Sequence, residues 1–323
     1  MLTEEQVRVW REQGAFTMQL PDDIVESVLD WLSQNLTLEH IDPSYLDFGS
    51  AGRQFEFPTK IEPLDDLVLN EQLIAAVQQL LGTDDIRLLQ ADLWPKVGVE
   101  QDQHDAQSNT DQRMHMDYGN NTVLHPDWDQ PAAVAAIIYY DEGAETAGGT
   151  AFVPRQGVDD PVYQPPFIHM PGYAGKPFFN DRKTVEDWFE ANDAEAYALR
   201  QSLYAREQTV AFTPGTILFY RHDIWHRGTP LLPGKLRRVH NLGWKRADAR
   251  GLSIWNEGWA RQSYTGHVES IIGRATPLQR SLLDFPLPGD DYWTEARLDN
   301  VEARFSFYGF DARPYRDALQ QRG

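Results

Sequence analysis

The chain has 323 residues, 41% of them hydrophobic and 12% aromatic, and it contains no cysteine. This length and composition predict a globular protein with a substantial core, and the lack of cysteine excludes disulfides, iron–sulfur clusters, zinc–thiolate sites and thiol nucleophiles. Lysine and arginine number 29 against 49 aspartate and glutamate residues, which gives a net charge of −20 and disfavours binding to nucleic acid or anionic membranes. Any bound metal ion must therefore be held by histidine and carboxylate side chains.

The N-terminal sequence has neither the basic nor the apolar region of a signal peptide. No apolar run approaches the ~20 residues that a membrane-spanning helix needs. These features predict a soluble, cytoplasmic protein without a nucleic-acid or membrane partner.

Three helices are predicted at the start of the chain. Thr3 is the expected cap of the first helix, and Asn70 is the expected cap of the third. The second helix, over 22–36, is predicted to begin with a capping box formed by Asp23 and Glu26.

The sequence changes from helical to alternating periodicity at residue 86. Over 86–99, Gln90, Asp92 and Trp94 alternate with apolar residues, which predicts a strand with polar groups on its inward face. Such a face suits a barrel that holds a ligand. Further strands are predicted at 132–140, which is apolar enough to be buried on both faces, and at 148–154, 208–212, 216–221 and 236–245.

Helical segments interrupt and follow the predicted strands. Thr184 with Asp187 opens a helix between the predicted strands 148–154 and 208–212, and short capped helices are predicted from residue 250 onward. No linker rich in proline, glycine and serine separates these parts, which favours a single domain. The predicted domain, 1–323, comprises N-terminal helices 1–82, a strand core 86–246 with a helical insertion at about 157–206, and a helical extension 250–323.

His115 and Asp117 lie two residues apart in a predicted strand, so their side chains would project from the same face. A second histidine much later in the chain, followed by an arginine, completes the order typical of a 2-His-1-carboxylate triad, which binds Fe(II) and leaves coordination positions open. His226 is the candidate third ligand and Arg237 the candidate anion anchor. His222 is the rival ligand, but the spacing of eleven residues to Arg237 favours His226.

Several short motifs accompany these residues in a fixed order. They are Leu2-Thr3-Glu4-Glu5-Gln6 with Gly14-Ala15-Phe16, residues 90–96, Gly148-Gly149-Thr150-Ala151-Phe152-Val153-Pro154 and Pro214-Gly215-Thr216. With this ordered set, the chain resembles the phytanoyl-CoA dioxygenase family of Fe(II)/2-oxoglutarate oxygenases from the first helix to about residue 246. The resemblance implies a mainly β fold with flanking helices, built on a double-stranded β-helix, or cupin-like jelly roll.

The resemblance also implies roles for individual residues. His115, Asp117 and His226 would bind Fe(II), and Arg237 would bind the distal carboxylate of the co-substrate 2-oxoglutarate. Gln90 falls where related hydroxylases place a glutamine near the co-substrate.

The sequence departs from the family pattern at two places. Many relatives have serine or threonine two residues after the distal histidine as a further hydrogen-bond donor to 2-oxoglutarate, whereas this chain has Gly228 followed by Thr229. Thr229 is therefore the candidate hydroxyl here. A proline-glycine-serine-histidine turn of the family is replaced at 154–157, away from the metal ligands.

The implied activity is hydroxylation of an unactivated C–H bond in a small organic molecule, with O2 and 2-oxoglutarate consumed and succinate and CO2 released. Asp117 argues against halogenation, because a halide ion needs the coordination position that this carboxylate occupies. Two other functions remain open: a non-catalytic jelly roll that binds a small ligand, and a cupin-like metalloenzyme that does not use 2-oxoglutarate.

Overall fold

The structure is a computed structural model that describes residues 1–41, 55–100, 105–106, 108–117, 128–164, 167, 169–171, 176–249, 267–283 and 285–321. The part of the predicted extension before residue 267 and the residues directly after Asp117 lie outside the described residues. None of the described helices combines the length and apolar character that crossing a bilayer requires.

Helices precede, interrupt and follow the strands. The first group comprises α1 (Glu4–Gln13), α2 (Asp22–Asn35), α3 (Glu62–Val68) and α4 (Glu71–Leu81). The second comprises α5 (Gly143–Thr146), α6 (Arg182–Asn192) and α7 (Ala194–Arg206). The last comprises α8 (His267–Arg274), α9 (Pro277–Ser281), α10 (Glu295–Phe305) and α11 (Arg313–Gln320). Short 3-10 turns lie at Leu38–His40, Pro161–Tyr163 and Ser306–Tyr308.

The strands form two antiparallel sheets, as predicted for a jelly roll. They are β1 (Ala15–Gln19), β2 (Ile86–Val97), β3 (Ala133–Tyr139), β4 (Thr150–Phe152), β5 (Gln208–Thr209), β6 (Thr216–Tyr220), β7 (His226–Gly228) and β8 (Leu236–Arg246). The larger sheet has the order β1-β6-β3-β8-β2, and the smaller has the order β5-β4-β7.

Strand β3 separates two cores. Every residue of β3 is buried, in agreement with the prediction of a strand covered on both faces. Val134, Ala136 and Ile138 pack with helices α1 to α4 on the outer face of the larger sheet. Ile137 and Tyr139 face the interior between the sheets, which is where a ligand would be enclosed.

The predicted N-terminal helices are present, but one cap differs. Thr3 caps α1 through a capping box, and the Asn70 side chain accepts the N–H groups at the start of α4. The capping box predicted for α2 at Asp23 and Glu26 is wrong, because Pro21 occupies the cap position and makes no side-chain cap. Burial of the apolar face of α2 supports this helix instead.

The alternation predicted for β2 is interrupted by a β-bulge between Leu88 and Gln90. Before the bulge, Leu88 packs toward the helices, as do Ala91 and Leu93 after it. An extra residue in one strand reverses the side to which the following side chains point. The bulge therefore turns Gln90 and Trp94 toward the interior.

The insertion after β4 contains two helices where the sequence suggested one. Asp181, and not Thr184, caps α6 by accepting the Thr184 N–H over 2.9 Å. Asp193 ends α6 and also caps α7 by accepting the Ala196 N–H over 3.1 Å. A residue that caps the second helix has non-helical backbone angles, and this breaks the helix that periodicity alone would continue.

Candidate metal centre

Two segments that are distant in sequence bring the predicted metal ligands together. His115 and His226 form an isolated β-bridge, in which the His115 N–H donates to the His226 carbonyl over 2.9 Å and the His226 N–H donates to the His115 carbonyl over 2.8 Å. The pairing beyond this bridge is irregular, because the Gln112 N–H donates to the Gly228 carbonyl over 3.0 Å but the Gly228 N–H donates to the Gln112 side chain. In place of the strand predicted around His115, the structure has two isolated bridges, His115 with His226 and Gln112 with Asp181.

The three predicted ligands face one another. The Nε2 atom of His115 lies 3.5 Å from Oδ1 of Asp117, and the Nε2 atom of His226 lies 3.4 Å from Oδ2 of the same carboxylate. One ligand atom from each residue lies within 4.8 Å of the other two. Both histidines are buried, whereas the Asp117 side chain is 20% exposed. One cation could thus contact all three side chains.

The backbone fixes the orientation of both imidazole rings. Nδ1 of His115 lies 3.0 Å from the Arg113 carbonyl, and Nδ1 of His226 lies 3.0 Å from the Ile224 carbonyl. A carbonyl oxygen can only accept, so each Nδ1 carries the proton and each Nε2 can direct a lone pair to the centre. This donor set fits a divalent first-row metal that prefers nitrogen and oxygen ligands.

Electrostatics favour the metal-binding charge state at Asp117 and His115. At His226, burial lowers the pKa, but the charge and hydrogen bond of Asp117 raise it above its usual value. Burial alone would raise the pKa of Asp117, but the neighbouring imidazoles of His226 and His115 hold that pKa well below its usual value. Burial, together with the charge of His226, lowers the pKa of His115 to about 4. The Tyr220 hydroxyl donates to Oδ2 of Asp117 over 3.1 Å. An ionised carboxylate and a neutral imidazole are the forms that bind metal.

The triad opens into a cavity of about 740 Å³ between the two sheets. Its lining combines the three ligands with aromatic and charged side chains from both sheets and from the insertion. They include Gln90, Trp94, Lys96, Asp105, Gln112, Arg113, Phe178, Asn180, Tyr220 and Arg237. A cavity of this size can hold a small organic molecule beside a bound co-substrate.

Arg237 lies on β8 and lines this cavity. Its guanidinium donates from Nη1 to the Gly148 carbonyl, and its Nε has no hydrogen-bond partner in the described part of the chain. Burial lowers the pKa of Arg237, yet an arginine stays charged in proteins. A buried guanidinium of this kind is suited to an anionic ligand.

The other predicted residues lie in different surroundings. Gln90 lines the cavity and donates to Oδ1 of Asp92 over 2.8 Å. The Thr229 hydroxyl donates to the Gly149 carbonyl over 2.6 Å, and it is Gly228 that lines the cavity. His222, the rival ligand, is buried with no partner for Nδ1 among the described residues, and it is not part of the three-residue cluster.

Several lining residues were missed by reasoning from the sequence. Lys96 continues the inward alternation of Gln90, Asp92 and Trp94, so this pattern could have found it. Arg113 lies two residues before His115 and could have been found in the same way. Asn180 lies in an irregular segment and carries no sequence signal, although it holds Arg113 through its side-chain oxygen.

Two solved structures share the fold over most of both chains. One is the non-heme alpha ketoglutarate dependent carbocyclase SnoK from nogalamycin biosynthesis, with a TM-score of 0.53, 16% identity, and coverage of 81% of this chain and 90% of SnoK. The other is the epimerase SnoN in complex with Fe3+, alpha ketoglutarate and nogalamycin RO, with a TM-score of 0.52, 16% identity, and coverage of 78% and 86%. At this identity the likeness establishes the fold alone, and it confirms the predicted fold class.

No protein-family model matches the sequence, and no curated protein matches it. The resemblance to the phytanoyl-CoA dioxygenase family therefore stays a prediction from the motifs.

Proposed function

We propose that the protein is an Fe(II)- and 2-oxoglutarate-dependent oxygenase of the phytanoyl-CoA dioxygenase type that hydroxylates an unactivated C–H bond of a small organic molecule. The observation that carries the proposal is the convergence of His115, Asp117 and His226 beside a cavity that also contains Arg237. With Fe(II), 2-oxoglutarate and O2 bound, such a site supplies C–H oxidation in which one oxygen atom enters the substrate, the other enters succinate, and CO2 is released.

Each residue has a defined task in this proposal. The Nε2 atoms of His115 and His226 and one oxygen of Asp117 hold the metal, and the Tyr220 hydroxyl orients that carboxylate. Arg237 binds the distal carboxylate of 2-oxoglutarate through a charge-assisted contact.

Gln90 and Thr229 have separate supporting roles for the co-substrate. Gln90 lines the same cavity, from which it would orient the co-substrate. The Thr229 hydroxyl binds the carbonyl of Gly149, next to the Gly148 carbonyl that receives the Arg237 guanidinium. Thr229 would therefore support the position of Arg237 from behind.

The site itself does not fix which product forms from the oxidised carbon. One of them is a carbocyclase and the other an epimerase, so this fold accommodates more than one fate of an oxidised carbon. Hydroxylation is the default outcome because it needs no residue beyond the triad and the co-substrate anchor.

Turnover of 2-oxoglutarate tests the proposal directly. Purified protein with Fe(II), ascorbate and 2-oxoglutarate is expected to form succinate and CO2 above the level of a metal-free control. In a screen of small metabolites, addition of a substrate should increase the amount of succinate formed. Metal binding without 2-oxoglutarate binding or turnover would instead favour a cupin-like metalloenzyme. Ligand binding without metal binding would favour a non-catalytic jelly roll.

A further inference from the structure

Two basic side chains lie directly opposite each other on neighbouring strands of the larger sheet and line the cavity. Lys96 of β2 and Arg237 of β8 are direct Cα partners in the antiparallel register, and both line the cavity. Directly opposed residues on one face of a sheet lie close together, and like charges in that position destabilise the pair. Arg237 is buried and Lys96 is half-buried, so water screens this repulsion poorly.

No carboxylate of the described residues forms an ion pair with either cation. The Lys96 ammonium donates to the carbonyl oxygens of Asn109 and, over 3.3 Å, of Thr110. The nearby Asp111 carboxylate pairs with Arg227 over 2.6 Å and with Arg182 over 3.3 Å. Carbonyl oxygens solvate an ammonium group without neutralising it, so a protonated Lys96 would lie beside the Arg237 charge without a counter-ion among the described residues.

Residues 228 and 229, which follow His226, offer no free hydroxyl to the cavity. Gly228 has no side chain, and the Gln112 side-chain oxygen lies 3.3 Å from the position that a Cβ atom at Gly228 would take. The hydroxyl of Thr229 is bound to the Gly149 carbonyl. Residues 228 and 229 thus offer no free hydroxyl beside Arg237, whereas Lys96 lies directly opposite it on β2.

We infer that Lys96 and Arg237 form a two-cation subsite for the distal carboxylate of 2-oxoglutarate, and that binding of this dianion brings a proton onto the Lys96 amine. This inference rests on the proposed function. The proton comes from solvent, and the charge added at Lys96 is matched by the incoming carboxylate.

The groups around Lys96 determine the direction of the proton linkage. Removal from water, and next the charge of Arg237, lower the pKa of Lys96 to about 7, whereas Asp111 acts in the opposite sense. Tyr139 of β3 faces Arg237 from the other side, and Asp105 lines the cavity. A bound carboxylate raises the pKa of Lys96, so affinity for 2-oxoglutarate should fall by up to about tenfold per pH unit above pH 7.

Calorimetry on the full chain loaded with Ni(II) in place of iron tests the inference. Binding of 2-oxoglutarate is measured from pH 6.5 to 8.5 in two buffers with different ionisation enthalpies, which gives the number of protons taken up. The wild type should take up close to one proton at pH 8. Lys96→Met should bind 2-oxoglutarate about 10- to 100-fold more weakly, as expected for loss of a hydrogen bond to a charged group, and should take up none.

Three controls keep a structural effect apart from the inferred one. Lys96→Arg keeps the charge but does not titrate, so it should retain most of the affinity and lose the proton uptake. Lys235→Met changes the net charge equally at an exposed position and should leave binding and uptake unaltered. Oxalate chelates the metal but lacks a distal carboxylate, so its affinity should be the same in Lys96→Met and in the wild type.

Failure of this inference and failure of the proposed function give different results. If the wild type binds Ni(II) but no 2-oxoglutarate, the proposed function is wrong. If the wild type binds 2-oxoglutarate and Lys96→Met binds it equally well, or takes up the same number of protons, the role of Lys96 is wrong while the function stands. If Lys96→Met also loses oxalate, the lysine acts by holding Asn109 and Thr110, and the inference is overturned.

Discussion

The hydrogen bond at Nδ1 determines whether Nε2 of each histidine is available as a metal ligand. His115 and His226 both direct Nδ1 to a carbonyl two residues earlier in the chain, so each Nε2 points to Asp117. His222 has no such partner for Nδ1 within the described residues. A carbonyl that accepts from Nδ1 orients the imidazole and raises its basicity as a ligand. This contact distinguishes His226 from His222.

Substitution of single residues should separate metal binding from co-substrate binding. His115→Ala and Asp117→Ala each remove a ligand and should weaken Co(II) binding by more than about 100-fold, seen as loss of the visible absorption of the Co(II)-substituted protein. Arg237→Ala should keep that absorption and weaken 2-oxoglutarate binding by at least about 10-fold. Equal loss of Co(II) in all three variants, with a lower melting temperature, would indicate misfolding and not separate roles.

His240 should make the protein sensitive to mild acid. It is fully buried against Tyr140, whose hydroxyl lies 3.2 Å from Nδ1, and burial lowers the pKa of His240 to about 3. The folded pKa lies below the unfolded value of about 6.5, so the stability present above pH 6.5 is lost as pH falls toward 3. Between pH 7 and pH 5 this group should reduce the free energy of unfolding by about 2 kcal/mol.

Denaturant titrations at pH 7 and pH 5 measure this effect. His240→Gln retains polar atoms near Tyr140 but does not titrate, so its loss of stability between the two pH values should be smaller than that of the wild type. His40→Gln, at an exposed position, serves as the matched control. The same pH dependence in His240→Gln and the wild type would rule out this histidine as the cause.

At the scale of elements, α6 and α7 brace the segment that carries His115. The Arg200 guanidinium of α7 donates to the Met114 carbonyl over 3.2 Å, and the Met114 N–H donates to the Tyr204 hydroxyl over 3.3 Å. Glu186 of α6 pairs with Arg200 over 2.7 Å and accepts from Tyr204 over 2.7 Å. The insertion thus holds both backbone groups of Met114, the residue next to the proposed metal ligand His115.

Removal of Arg200 should therefore affect both stability and the metal site. Arg200→Met leaves Glu186 without its buried partner and should lower the free energy of unfolding by about 3 kcal/mol, with weaker Co(II) binding. The double variant Arg200→Met with Glu186→Gln should recover part of the stability. Lys183→Met breaks an exposed pair with Asp187 and should change neither property measurably. An Arg200→Met variant as stable as the Lys183→Met control would contradict the bracing role.

At the scale of the whole molecule, the chain is strongly acidic, but several of the side chains that line its cavity are basic. The net charge is −20, whereas Lys96, Arg113 and Arg237 line the cavity together with Asp105 and Asp117. The overall charge therefore describes the outer surface, and the charge of the ligand depends on the few groups that face it.

That residues 1–323 form one domain stays a prediction.

The local elements of the fold could be predicted because their signals lie in adjacent residues. Thr3 and Asn70 mark helix starts, and the apolar run at 132–140 predicts a strand buried on both faces. The bulge at Leu88, the break at Asp193 and the cap at Asp181 could not be predicted, because the same residue types are equally compatible with a regular strand or a continuous helix. Packing against distant elements selected between these alternatives.

The sequence by itself predicted the donor set, because His115, Asp117 and the later His226 follow the order typical of a 2-His-1-carboxylate triad and the chain has no cysteine. Only the tertiary structure decided which groups meet in the cavity. Lys96 and Arg237 are 141 positions apart in the chain and become neighbours only through the register of β2 on β8. Strand register is set by the packing of whole faces, so no local pattern in either strand reveals the partner.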